Sequence, residues 1–317
     1  MKEFARRIRP AALASLRHLA EKPGTNWWKD LMELWRPSGS TAEDQGLRLA
    51  VRNNYLNFYR RGQSVARVQF SRAREPYVST HVKYAFGEET TGQVYAQMRN
   101  GTDIRDPKTG QTLIYEGSST LHKWIERADK HKGPEKTCVD ELIACNSSII
   151  DVEMGLPASG DRKTAQRMDC VALEREGDGI RIVFWEAKMI DDARLRSETM
   201  PEVMFQLKTY RAYLAVNDHA RCVENAYQTL CHLLIDMHQM AAQFPDRPAL
   251  DPLVIAASKE ASGLKVDPMP RLVIFGGEQY RKKGNWEFHR QRLQAEEIPC
   301  LVLTNKPYRL RRPEVGS

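Results

Sequence analysis

The chain of 317 residues is 41% hydrophobic and 28% charged, with a formal net charge of +7. Such values are ordinary for a soluble globular protein with one large core or two modest ones. No run approaches about 18 apolar residues, which excludes a membrane-spanning helix. The charge-interrupted Met1–Glu21 segment does not read as a secretory signal, so a cytoplasmic protein is expected.

Residues 1–45 read as N-terminal helices. Phe4, Ile8, Leu13, Leu16 and Leu19 give residues 2–21 an apolar helical face, with Pro10 as a break or a first-turn residue. Asn26 is placed to cap a second helix through Trp35. Trp27, Trp28 and Trp35 read as packing residues, with base stacking as the alternative.

Residues 46–115 read as a basic β-rich accessory domain. Leu47, Leu49 and Val51 alternate with Arg48 and Arg52, Asn53-Asn54 is a turn, Tyr55–Tyr59 and Val65–Phe70 are strands, and Tyr77–Phe86 reads as one more. A short helix is expected near Gly92–Arg99. A sheet face carrying Arg48, Arg52, Arg60 and Arg67 among tyrosines can hold a phosphate backbone, and Arg48, Arg52 and Arg67 are the candidate contacts. An ordinary solvated face is the alternative. The charge distribution bears on this choice: residues 1–75 hold 15 Lys and Arg against 7 Asp and Glu, and the rest holds 33 against 34. The excess suggests a surface facing a polyanion such as DNA, or a protein partner.

Residues 116–312 alternate between helical and strand patterns. Ser119–Lys130 and Glu135–Asn146 read as helices, the second bearing Asp140 and Glu141, and Ser148–Leu156 as a strand. A hairpin then spans Arg167–Lys188. Met168–Glu174 alternates, Glu176-Gly177-Asp178-Gly179 is a turn, and Ile180–Lys188 is β-branched and aromatic. Asp169 opens the first strand, and Glu186 and Lys188 close the second on one face, because strand side chains repeat every two residues. The hairpin thus gathers two carboxylates and an amine at one strand end, an oxygen cluster of the kind hard divalent cations take. Glu202–Val216 reads as a helix with Gln206 and Tyr210 stacked at i and i+4. A long helix over residues 218–244 follows, then a strand over Arg271–Phe275, a helix over Trp286–Glu296 and a strand over Cys300–Thr304. The six cysteines lack C-x-x-C spacing and read as reduced thiols. No G-x-x-x-x-G-K-[ST] loop is present.

A Glu-x-Lys triplet alone carries little weight. Here it ends an apolar strand, faces Asp169 across a hairpin and is followed by a helix bearing Q-L-K-T-Y from Gln206 to Tyr210. With the element order from Glu135 onward, this resembles the PD-(D/E)xK nuclease superfamily, and the Q-x-x-x-Y pattern resembles its RecB-like and lambda-exonuclease-like branch. The resemblance covers residues 119–305. Met168 stands where the family often has Pro, and the 218–244 helix reads as an insertion.

The resemblance implies an α/β (α+β) restriction-endonuclease-like core, a mixed central sheet flanked by helices, behind the N-terminal helical and β-meander domain. It implies Mg²⁺ or Mn²⁺ held by Asp169, Glu186 and the Ala187 backbone carbonyl, with Glu141 as the upstream acid and Glu153 competing for that role. Lys188 would orient water or stabilise the phosphorane. Gln206 and Tyr210 would position the scissile strand, with Lys208 and Arg211 on phosphates. The expected function is a metal-dependent DNase of DNA processing, restriction or phage defence, from a prokaryote or phage. The alternatives are a nuclease-fold module that binds nucleic acid or assembles a complex without activity, and an RNase on the same core.

Overall fold

The computed structural model describes residues 4–41, 45–87, 92–99, 101–157, 167–195, 202–245, 247–259, 263–276 and 286–313. Helix α1 (Pro10–Glu21) starts on its proline, where a missing N–H costs nothing. Helix α2 (Trp27–Leu34) is capped by Asn26, whose side chain accepts from the Trp28 and Lys29 amides at 3.1 Å each.

A seven-stranded antiparallel sheet follows in sequential order: β1 (Arg48–Val51), β2 (Leu56–Arg60), β3 (Gln63–Phe70), β4 (Pro76–His81), β5 (Tyr95–Met98), β6 (Asp103–Arg105) and β7 (Thr112–Ile114). The short helix α3 (Val82–Ala85) sits between β4 and β5. It ends the strand expected over Tyr77–Phe86. The helix expected near Gly92–Arg99 is instead strand β5: Ala96 and Met98 are buried while Tyr95 and Gln97 are half-buried, a period of two.

Helices α4 (Ser118–Asp129) and α5 (Pro134–Cys145) lead into a second, mixed sheet. Strands β8 (Ile149–Gly155), β9 (Arg167–Glu176) and β10 (Gly179–Met189) form an antiparallel meander. After α6 (Glu202–Leu214), α7 (Asn217–Ala241) and α8 (Pro252–Ala257) come β11 (Leu264–Val266) and β12 (Arg271–Phe275), both parallel to β10. Helix α9 (Trp286–Ala295) precedes β13 (Cys300–Leu303), parallel to β12. The order is β13-β12-β10-β9-β8, with β11 alongside β10. The chain is therefore a mixed α/β fold. No helix among the described residues is long and apolar enough to cross a membrane. Most of the loop expected over Pro157–Gln166 and most of the charged loop over Asp191–Pro201 lie outside the described residues.

One apolar cluster joins the two sheets, running from Phe4 and Leu16 through Trp28 and Phe58 to Phe184, Tyr227 and Ile298. Trp28 is fully buried, edge-on to Phe58 at 6.3 Å, so it packs and does not stack on bases. Helix α7 lies inside this cluster along its Val223, Leu230 and Met237 stripe.

A buried polar hub ties the same parts together. Asp151 on β8, 1% exposed, accepts from Arg6 at 2.8 Å, Arg52 at 2.6 Å and Tyr227 at 3.2 Å. Burial alone would raise its pKa; the charges of Arg52 and Arg6 outweigh it and hold the carboxylate below its ordinary range.

Candidate active site

The site forms where two strands part. Strands β9 and β10 pair from Glu176↔Gly179 to Cys170↔Trp185. The next residues, Asp169 and Glu186, face each other at the fork. The other edge of β10 is held by β11 at Ile180–Ile182 and by β12 from Trp185 to Met189. Asp169 replaces the missing ladder bond: its Oδ2 accepts the Ala187 amide at 2.7 Å. Asp169, Glu186 and Lys188 are 5%, 3% and 1% exposed, so three ionisable groups are fixed inside the protein.

Each of them has hydrogen-bond partners. The Lys188 ammonium donates to Glu186 Oε1, and to the Ala187 carbonyl at 2.7 Å. Gln206 on α6 donates its amide to Glu186 Oε2 at 2.8 Å and to the Arg167 carbonyl at 2.6 Å. One turn later, Tyr210 is buried, and its hydroxyl donates to the Met154 carbonyl at 3.1 Å. Tyr210 thus pins α6 to β8.

Two groups from α5 complete the cluster, and sequence reasoning missed both. Glu135 lies 3.9 Å from the Lys188 ammonium and 3.2 Å from Arg194. The Lys136 ammonium bridges Asp169 Oδ1 at 2.5 Å and Glu153 Oε1 at 2.7 Å. Its stem rests on the β2–β3 turn, where a Cβ on Gly62 would meet Lys136 carbons at 2.8 Å, and where Gly62 also has φ +75°. Glu153 sits on β8 at φ +50°, a strained conformation for a non-glycine residue, and Arg52 supports that kink by donating to the Val152 and Glu153 carbonyls.

Other expected residues lie elsewhere. Glu141, expected as the upstream acid, makes no hydrogen bond or ion pair with Asp169, Glu186 or Lys188 among the described residues. It is six residues from Glu135, about 120° around the helix, and its carboxylate binds Lys306 at 2.5 Å. Arg48 and Arg52 do not present an open sheet face. They are 4% and 8% exposed and are bound to Asp140 at 3.0 Å and Asp151 at 2.6 Å. Arg67 is half-buried between Tyr55 and Tyr95. Lys208 and Arg211 are half-exposed on α6 and pair with Glu296 and Glu297.

The electrostatics favour an added cation. Burial, then the charge of Asp169, push the Glu186 carboxyl up to about 8 despite Lys188. Glu135 is likewise raised by burial. Burial works against the charge of Lys136, yet Asp169 and Glu153 outweigh it and hold the ammonium above its ordinary value. Among the described residues, no three Asp, Glu, His or Cys side chains form a ready cage for a metal ion. What Asp169, Glu186 and the Ala187 carbonyl offer is an all-oxygen donor set, which suits Mg²⁺ or Mn²⁺ and not a soft metal. A cavity of about 20 Å³ beside Asp169, Glu153 and Lys136 has room for one water-sized occupant. Comparison with protein-family models, with curated proteins and with solved structures finds no match.

Proposed function

We propose that this protein is a Mg²⁺- or Mn²⁺-dependent nuclease that hydrolyses phosphodiester bonds of DNA on a restriction-endonuclease-like core. One observation carries this reading: two buried carboxylates and a buried lysine meet at a strand fork, and each is oriented by a named partner. A buried ion cluster is weak evidence of a stability role, since replacing one by apolar residues is often neutral or stabilising. The strand order β13-β12-β10-β9-β8, an antiparallel meander followed by parallel strands, supports the core assignment.

The chemistry follows from the residue types. Asp169, Glu186 and the Ala187 carbonyl would hold the cation, which when bound acidifies a water and neutralises charge on phosphorus. The Lys188 ammonium, fixed by Glu186 and Ala187, is positioned to donate a hydrogen bond to the attacking water or to a phosphoryl oxygen as charge develops. Gln206 holds Glu186 in one rotamer, leaving its Oε1 turned toward Lys188. The Ala187 amide does the same for Asp169. Glu135 and Arg194 flank Lys188 and tune the local charge.

Purified protein incubated with linear, circular and single-stranded DNA and with RNA, in Mg²⁺, Mn²⁺ or EDTA, tests the assignment. Divalent-dependent cutting of DNA is the expected result. RNA cut in place of DNA would move the activity to the RNase reading. No cutting of any substrate would contradict it.

A further inference from the structure

The N-terminal sheet carries a second concave surface. A groove of about 480 Å³ opens over β2 to β5 and ends against Glu153 and Arg167. That volume lies in the roughly 300–1,000 Å³ range of small-ligand sites. The groove shares its inner wall with the catalytic cluster. Glu153 reaches Asp169 through Lys136, and the Arg167 carbonyl reaches Glu186 through Gln206.

Charge pairing separates this groove from the rest of the basic segment. Arg48, Arg52 and Arg60 are held by Asp140, Asp151 and Asp129. Arg67, Lys83 and Arg167 line or rim the groove and have no carboxylate partner among the described residues. The Arg67 guanidinium lies 5.4 Å from the Tyr55 ring and 4.9 Å from the Tyr95 ring, and its Nε is buried without a hydrogen-bond partner. The single acid in the lining, Glu153, is neutralised by Lys136. Besides His81 and the Asp151-paired Arg6 and Arg52, the wall is largely amide and hydroxyl. Asn57 accepts from Ser64 at 2.7 Å, and Gln93 accepts from Tyr95 at 2.7 Å, so their amide N–H groups remain as donors.

Uncompensated cations suit phosphate. Tyrosine and guanidinium planes suit a base, and fixed amides suit a base edge. A groove of this size admits one nucleotide and not a stacked duplex. We infer that it binds an unpaired nucleotide of the substrate strand, adjacent to the phosphate presented to Asp169 and Glu186. This inference rests on the nuclease reading for the word substrate, but its binding site stands on the groove alone.

The test is fluorescence anisotropy in EDTA, where no cleavage occurs. The probes are labelled single-stranded DNA and RNA oligonucleotides and a blunt duplex of the same sequence, with nucleoside monophosphates as competitors. Wild type is compared with Arg67→Gln, Tyr95→Leu and the partly exposed Lys83→Gln, each checked for an unchanged thermal melt. We expect tighter binding of the single strand than of the duplex. Tyr95→Leu should weaken the strand by about tenfold or more. Each charge variant should reduce the salt slope by about 0.7. Variants that bind the strand like wild type overturn the pocket, as do variants that weaken strand and duplex equally. Displacement by equimolar mononucleotide overturns the strand assignment in favour of a free nucleotide. A strand that binds in a variant-sensitive way but is never cut in Mg²⁺ or Mn²⁺ keeps the pocket and refutes the nuclease reading. Cutting with variant-insensitive binding does the reverse.

Discussion

The Lys136 ammonium lies 2.5 Å from Asp169 Oδ1 and 2.7 Å from Glu153 Oε1, so one side chain from α5 joins carboxylates on two neighbouring strands. It supplies the positive charge that Asp169 and Glu153 need. A divalent cation at Asp169 must compete with it.

Lys136→Met should therefore have opposite effects on stability and on cation binding. Without metal, Asp169 and Glu153 lose their counter-charge, and the variant should be less stable by about 1–3 kcal/mol, measured by urea unfolding in EDTA. Calorimetric titration with Mn²⁺ should show affinity raised on the order of tenfold, because a competing charge has gone. Weaker Mn²⁺ binding would mean that Lys136 supports the cation instead.

The raised Glu186 carboxyl gives a pH dependence with a definite sign. With a folded pKa of about 8 against an ordinary 4.5, the native protein holds this proton more tightly than the unfolded chain does. Its contribution to stability is full below 4.5 and is lost as pH rises toward 8. In EDTA, wild type should lose melting temperature over that window relative to Glu186→Gln. Mn²⁺ affinity of wild type should rise over the same window, since the cation binds the ionised form. Parallel pH profiles for the two proteins would place the proton elsewhere.

Glu135 and Glu141 occupy different faces of α5, and their variants should separate. Glu135→Gln removes the carboxylate beside Lys188 and should lower cleavage about 10- to 100-fold, the range for groups that orient a metal site's ligands. Glu141→Gln breaks only the surface pair with Lys306 and should leave cleavage within about twofold. Single-turnover rates at saturating Mn²⁺ make the comparison. The reverse ranking would restore Glu141 as the upstream acid.

How much of this was legible in the sequence depends on range. The hairpin was, because alternation and a Glu-Gly-Asp-Gly turn are local, and the shared face of Glu186 and Lys188 follows from a period of two. The i,i+4 spacing stacked Gln206 and Tyr210, yet only Gln206 reaches the carboxylates; the direction of each side chain is set by β8 and β9. Glu135 and Lys136 were hidden because packing of Val139, Leu142 and Ile143 chooses which face of α5 meets the sheet. Part of the basic excess of residues 1–75 is paired off in the fold for the same reason. Arg52 and Asp151 are 99 residues apart, and Arg48, Arg52 and Arg60 find their acids only in the folded chain. Arg67, flanked by tyrosines, lines the groove without a carboxylate partner among the described residues, whereas Arg52, also in its lining, is held by Asp151 and Arg48 by Asp140.

The most direct test of the central claim is Lys188→Ala assayed for cleavage and for DNA binding on the same preparation. Cutting in Mg²⁺ or Mn²⁺ should be abolished while DNA affinity and the folded state persist, because in the proposed mechanism Lys188 acts on the reacting phosphate and contributes little to holding the strand. A Lys188→Ala protein that cuts at the wild-type rate would contradict it.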